Sequence, residues 1–344
     1  MESDMRDGNL PPTLKTIAFM TGLSTTSVSR ALSDAPDIGP ETKERVRLVA
    51  SQIGYQPNRA GLRLRTGRTS VLALVLNVDD EIMGFTSQMI FGISQALKDT
   101  GYNLIVSPSS HDSDPLLPVR NILQSRSADG VIIMRTAPDD RRVQLLLEKD
   151  FPFVTHGRTD SGWTHPFHDF DNESFVYQAV GKLAGRGRRR LAIIRPPRDL
   201  TYAAHIAAGL ERGLRDFGMT EVPLPVSIDT PLLDVRAAMD RAMRAPEPPD
   251  AVLCVSASLA VAVSAGAEMA GKEIGKDLDI VSKQVSPALN WMRPEILTAD
   301  EDVHLAGREM ARALMARIAG ADARSLQTLS HPVWKNPEAA SHLR

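Results

Sequence analysis

From residue 70 onward short apolar runs alternate with amphipathic segments, and this alternation constrains the fold more than any other feature. The apolar runs cover residues 71–76, 102–106, 130–134, 153–155, 191–194, 252–255 and 280–281. Segments with helical spacing stand between them, over 88–100, 172–184, 202–217 and 257–270. A run that is apolar at almost every position suits a strand buried on both faces, so repeated β-α units predict parallel sheets covered by helices. Two such sheets side by side make two lobes with a cleft between them, and ligands in such folds bind beyond the carboxyl ends of the strands. With 344 residues the chain is too long for a single core. It divides into a small module and a body of roughly 270 residues.

The small module precedes the alternating pattern. Thr13 is placed to cap a short helix that carries Leu14, Ile17 and Ala18 on one face and stops at Gly22. Ser24 then caps a second helix over 25–32, with Val28 and Leu32 turned inward and Thr25, Thr26, Ser29 and Arg30 outward. A third helix over 41–54 adds Val46, Val49, Ala50 and Ile53 to the small core. Two short helices around a Gly-containing turn form a helix-turn-helix, and the outward hydroxyls and guanidinium match the donors and acceptors of the major groove. Geometry alone leaves a plain three-helix scaffold as the alternative. The charge pattern favours the first reading: the whole chain carries −2, whereas residues 42–69 carry +6, the footprint of a segment that meets phosphates.

The run from Thr13 to Thr69, with Gly54-Tyr55-Gln56-Pro57-Asn58 closing the third helix, resembles the DNA-binding module and hinge of the lactose-repressor family of bacterial regulators. The resemblance implies that Thr13, Leu14, Ser24, Thr25, Thr26, Ser29, Arg30, Thr42, Tyr55, Asn58, Arg59, Gly61 and Leu64 meet DNA, with Leu64 wedged into the minor groove. Where the family usually has Ala in the hinge this chain has Gly61, which lowers helix propensity by up to ~1 kcal/mol. The body resembles the same family in 151–158 (Phe-Pro-Phe-Val-Thr-His-Gly-Arg), 169–172, 188–194 and 307–311. That likeness implies an α/β fold: an all-α helix-turn-helix module at 1–56, a hinge at 57–69, a two-lobed periplasmic-binding-protein-like body at 70–335, and a tail at 336–344. The first lobe is expected at about 70–163 and 298–320 and the second at about 164–297 and 321–335. The chain then crosses between lobes near 160–170, 285–298 and 320–326, and a last helix over 303–319 returns to the first lobe.

By the same matching Phe85, Arg158, Tyr202, His205, Ser256, Lys283 and Gln284 are implied to hold an effector: an aromatic face for C–H groups and polar tips for hydroxyls. Each also reads singly as a helix cap or a satisfied surface group. Lys283 and Gln284 replace the Asp that many members have, and Ser256-Ala257 replaces Asn-Asp. This exchange predicts a sugar or sugar derivative, with an anionic one favoured over a plain neutral sugar. Ile206 stands where an effector-binding Arg is frequent.

The expected function is a transcriptional repressor, a homodimer on a pseudo-palindromic operator whose affinity a small molecule controls. A solute-binding protein of a transport system is the alternative, and the absence of an export signal at residues 1–13 counts against it. No window reaches the ~18 consecutive apolar residues of a membrane span, so a cytoplasmic protein is expected. Enzymatic function is not expected, since the sequence has no GxSxG elbow, P-loop or HExxH. No cofactor or metal is expected either: His156, His165, His168, Asp169 and Asp171 match no standard ligand spacing. Cys254, the single cysteine, lies in an apolar run and reads as a buried inert thiol. The triplet Arg188, Arg189 and Arg190 reads as surface charge.

Overall fold

The computed structural model describes residues 12–55, 67–77, 84–110 and 113–335. Residues 1–69 and 70–344 form two compact units. In the first, α1 (Leu14–Thr21), α2 (Thr25–Leu32) and α3 (Pro40–Gln52) enclose a core of Ile17, Ala18, Val28, Ala31, Val46 and Ala50. Thr13 and Thr16 cap α1 reciprocally, Gly22 ends it in the left-handed conformation, and the Ser24 hydroxyl accepts from Ser27 N at 3.0 Å to start α2. The inward pair on α2 is Val28 with Ala31, and Leu32 is only partly buried.

The second unit contains two six-stranded sheets. The first takes β1 (Val71–Asn77), β2 (Asn103–Ser109), β3 (Gly130–Ile133), β4 (Phe153–His156), β5 (Phe167–Phe170) and β11 (Gln327–Ser330) in the order β11-β5-β4-β3-β1-β2, all parallel. The second takes β6 (Arg190–Ile193), β7 (Thr220–Glu221), β8 (Ala251–Cys254), β9 (Asp279–Gln284), β10 (Leu297–Asp300) and β12 (Val333–Lys335) in the order β12-β10-β9-β8-β6-β7. Only β12 runs antiparallel. Leu74 lies opposite Val106 and Ile132, and Leu253 opposite Ile193 and Val281, so fully apolar strands occupy the sheet centres.

Strand membership moves every lobe boundary later than the sequence reading placed it. β5 belongs to the first sheet, β10 to the second and β11 to the first, so the crossings fall after 170, 300 and 330. The first sheet thereby acquires β5 and β11, and the second acquires β10. These strands were hard to read because β5 carries His168 and Asp169 and β11 is mostly exposed. Asp171 and Asp302 stand at two crossings and cap the helices that follow, accepting from Ser174 N at 2.9 Å and Leu305 N at 2.8 Å.

The last long helix, α12 (Val303–Ile318), packs in the first lobe against α4 (Phe85–Leu97). Gly92 and Gly307 permit this approach: a Cβ on Gly92 would lie 2.0 Å from the His304 carbonyl oxygen, and one on Gly307 2.5 Å from that of Met89. Of the Arg triplet, Arg189 is exposed surface charge and Arg188 is not. Arg188, with Arg186, clamps the buried Asp279 carboxylate at 2.7 and 3.0 Å, while Asp250 accepts from the backbone of Arg189 and Arg190. Cys254 is fully buried, and burial pushes its thiol pKa up.

Candidate functional site

The DNA-reading module places Thr25, Thr26 and Arg30 on the exposed face of α2, with Ser24 exposed at its cap and Ser29 partly covered. Thr13 is exposed at the start of α1, whereas Leu14 and Tyr55 pack partly against the core and Thr42 is half-buried on α3. Asn58, Arg59, Gly61 and Leu64 lie outside the described residues. Two acids moderate the basic face. Asp37 holds the Arg30 guanidinium at 2.5 Å, and Asp34 lies 3.1 Å from Lys43 and 2.8 Å from Arg47. The hydrogen bond from Arg30 keeps the Asp37 carboxyl below its ordinary range.

In the body, a cleft of about 770 Å³ opens between the two sheets at the carboxyl ends of their strands. Phe85, Arg158, Tyr202, His205, Ser256, Lys283 and Gln284 all line it. They arrive from separate places. Phe85 opens the helix after β1, Arg158 follows β4, and Tyr202 and His205 lie on α8 (Thr201–Phe217). Ser256 immediately precedes α10 (Ala257–Met269), and Lys283 and Gln284 end β9. Ile206 is buried in the second-lobe core and has no part in the cleft lining.

Lys283 is not a free cation. Its ammonium sits 2.8 Å from Glu301 Oε2, donates to Asn172 Oδ1 at 3.0 Å, and lies 4.8 Å from the Phe170 ring centroid. Burial raises the Glu301 carboxyl, but Lys283 and His156 outweigh this and hold it below its ordinary range. Over the whole lining, Arg135, Arg141, Arg142, Arg158 and Lys283 face Asp139, Asp140, Asp169, Asp199, Asp229 and Glu301. The sequence-based preference for an anion therefore loses its basis. It counted Lys283 without its partner Glu301.

Two contacts tie the lobes across the cleft. Arg135 donates to both Asp229 oxygens at 3.2 and 3.0 Å, and Thr201 donates from its backbone and hydroxyl to the Thr136 carbonyl at 2.9 and 3.1 Å. Several shielded polar atoms on the lining make no hydrogen bond within the protein: Arg158 Nε, Asp169 Oδ2, His205 Nδ1 and Gln284 Oε1. Asp169 Oδ2 is only 3.0 Å from Arg158 Nε. That contact is electrostatic, since the N–H is not aimed at the oxygen. Burial raises the Asp169 carboxyl, offset in part by Arg158.

His156 and His168 are register partners on β4 and β5 with ring centroids 6.3 Å apart, and His165 stands just before β5. His165 bonds with the Pro166 carbonyl and Thr159, and His168 with Thr328 Oγ1 at 2.9 Å. His156 meets the Phe85 ring edge-on, and burial lowers its pKa to about 4. Among the described residues no three His, Cys, Asp or Glu side chains are grouped to hold a metal ion. No described helix is long and apolar enough to cross a membrane.

Residues 13–58 match the model of the bacterial regulatory proteins of the lacI family, and residues 180–335 match a periplasmic binding protein-like domain. The HTH-type transcriptional regulator AglR of Rhizobium meliloti (strain 1021) is 31% identical over 327 residues, covering 90% of this chain and 88% of AglR. The chain belongs to the LacI family. It is a sequence-specific DNA-binding transcriptional regulator. Among solved structures, the transcriptional regulator CelR–cellobiose complex is 25% identical with TM-score 0.67, over 94% of this chain and 98% of that one. The lac repressor dimer bound to operator and the anti-inducer ONPF has TM-score 0.79 at 19% identity, over 94% and 98%, and speaks for the fold alone. Sequence reasoning missed Asp169, Asn172 and Glu301 as cleft residues. The acidic run Asp300-Glu301-Asp302 beside a crossing was the available signal.

Proposed function

We propose that this LacI-family regulator binds a neutral sugar of more than one ring between its lobes, and that binding changes its affinity for operator DNA. The charge balance of the cleft carries this reading: five cations against six carboxylates leave no surplus to attract a phosphate or a uronate. Phe85 supplies an aromatic wall, and polar tips of fixed orientation supply hydrogen bonds, the composition of a site that selects by hydroxyl geometry. The cellobiose complex of CelR supports the same class of ligand. At about 770 Å³ the cleft has room for several hydroxyl-bearing rings.

The chain acts as a homodimer on a pseudo-palindromic site, since one recognition helix of 8 residues reaches few base pairs and paired modules supply two half-sites. Thr25, Thr26, Ser29 and Arg30 read bases or phosphates, and the seven cleft residues hold the sugar. Titrating neutral disaccharides, trisaccharides and sugar phosphates while following melting temperature and operator binding tests the reading, because a ligand of the native state raises its stability. Stabilisation by neutral sugars with a change in operator affinity is the expected result. Stabilisation by sugar phosphates alone would overturn it.

A further inference from the structure

We propose that Asp169 is the specificity-determining acceptor of the cleft, gripping jointly with Arg158 one sugar hydroxyl that donates to Asp169 Oδ2 and accepts from Arg158 Nε. The assignment rests on the sugar reading above. Asp169 lies on β5 and is 4% exposed. Its Oδ1 accepts from Phe170 N at 2.8 Å, which leaves Oδ2 as the oxygen without a hydrogen bond, and Asp169 is among the residues that line the cleft. Oδ2 stands 3.0 Å from Arg158 Nε, yet both atoms are shielded and neither makes a hydrogen bond in the protein.

Within the fold Oδ2 has the ion pair with Arg158 but no hydrogen bond. A buried oxygen without a donor is costly, and polar groups in such places are ordinarily satisfied. The neighbouring polar residue on the strand, His168, is satisfied by Thr328. A hydroxyl is the group that completes the pair, because it donates and accepts from one atom. A ligand carboxylate would be repelled by Asp169, an ammonium by Arg158, and an apolar group would leave both bare.

Gln284 supports the same ligand chemistry from the second lobe. It is 2% exposed, and its Nε2 donates to Asn290 Oδ1 and to Asp300 Oδ1, the latter at 2.8 Å. A carboxylate cannot donate, so the contact with Asp300 fixes Nε2 on that side and Oε1 as an acceptor. Gln284 Oε1 makes no hydrogen bond in the protein. Two fixed acceptors, one on each lobe, therefore require a ligand with at least two hydroxyl donors.

The test uses the full chain and isothermal titration with maltose, cellobiose, sucrose, trehalose, melibiose and raffinose. Against the sugar that wild type binds, Asp169→Asn is expected to weaken affinity about tenfold or more, the usual effect of losing a hydrogen bond to a charged acceptor. Its melting temperature without sugar should stay level or rise, since a shielded charge is removed. One monodeoxy derivative of that sugar should bind wild type and Asp169→Asn equally. Asp169→Ala, scored the same way, is the second variant. Equal sugar affinity in Asp169→Asn and wild type overturns the assignment alone, as does a fall in melting temperature that accounts for lost binding in both variants. A wild type that binds none of the six sugars overturns the sugar reading and this assignment with it.

Discussion

Lys283 Nζ and Glu301 Oε2 meet at 2.8 Å on the cleft lining, one from the end of β9 and the other from the second lobe crossing, with both side chains at most 10% exposed. Asn172, at the first crossing, accepts from the same ammonium. One lysine thereby ties two of the three connections between the lobes. Glu301→Gln leaves that ammonium buried without its counter-charge, and removing one partner of such a pair costs about 3–5 kcal/mol. Chemical denaturation of the full chain should show a loss in that range. Lys283→Met with Glu301→Leu should recover most of it, because the penalty belongs to the unpaired charge.

His156 makes stability depend on pH. Its folded pKa of about 4 lies below the ordinary 6.5, so between these values the unfolded chain binds a proton that the folded chain does not. Its contribution is complete above pH 6.5 and declines as pH falls towards 4. Between pH 7.5 and 5 the loss is about 2 kcal/mol. Burial is the main cause, with Glu301 opposing it and His168 and Lys283 adding to it. His165 and His168 are shifted in the same direction by burial, so His156→Gln should shallow the pH dependence of the urea midpoint without abolishing it. An unchanged slope would contradict the argument.

Gly92 is set by the approach of α4 to α12. Gly92→Ala would place a methyl carbon 2.0 Å from the His304 carbonyl oxygen, which is backbone and cannot rotate away. A loss of roughly 3 kcal/mol is expected in denaturant titration, at the upper end of overpacking. Gly185→Ala, which meets open space at the end of α7 (Asn172–Gly185), is the control and should be neutral or stabilising by up to ~1 kcal/mol.

Arg30 and Asp37 test the DNA-reading module. Arg30→Ala should leave the fold intact, since its side chain is about half exposed. Gel-shift titration on an operator found by in vitro selection should show a loss of about 1–3 kcal/mol if Arg30 reads a base, confined to one position. A phosphate contact would instead weaken binding to all sequences and reduce the salt slope by about one. Asp37→Ala should tighten binding through the same guanidinium, now without its competitor. Its effect should vanish in an Arg30→Ala background, and an effect of Asp37→Ala that persists there would show that the ion pair is irrelevant to DNA.

What the sequence determined by itself was local. Caps at Thr13 and Ser24, the stop at Gly22 and the apolar runs at 71–76, 130–134 and 252–255 act within a few residues, so periodicity and side-chain chemistry were sufficient to read them. Position matching also brought seven scattered residues to one cleft, because the carboxyl ends of parallel strands converge whatever the detail of the sheet. Tertiary structure alone decided the edges and the pairings. β5 and β11 are strands because they complete a sheet, and their own polar residues gave no alternation to read. The partnership of Lys283 with Glu301, the clamp of Arg186 and Arg188 on Asp279, and the contact of Asp169 with Arg158 follow from strand order. A charge counted along the chain carries no information about which opposite charge the fold will set beside it, and that neighbour decides whether it remains available to a ligand.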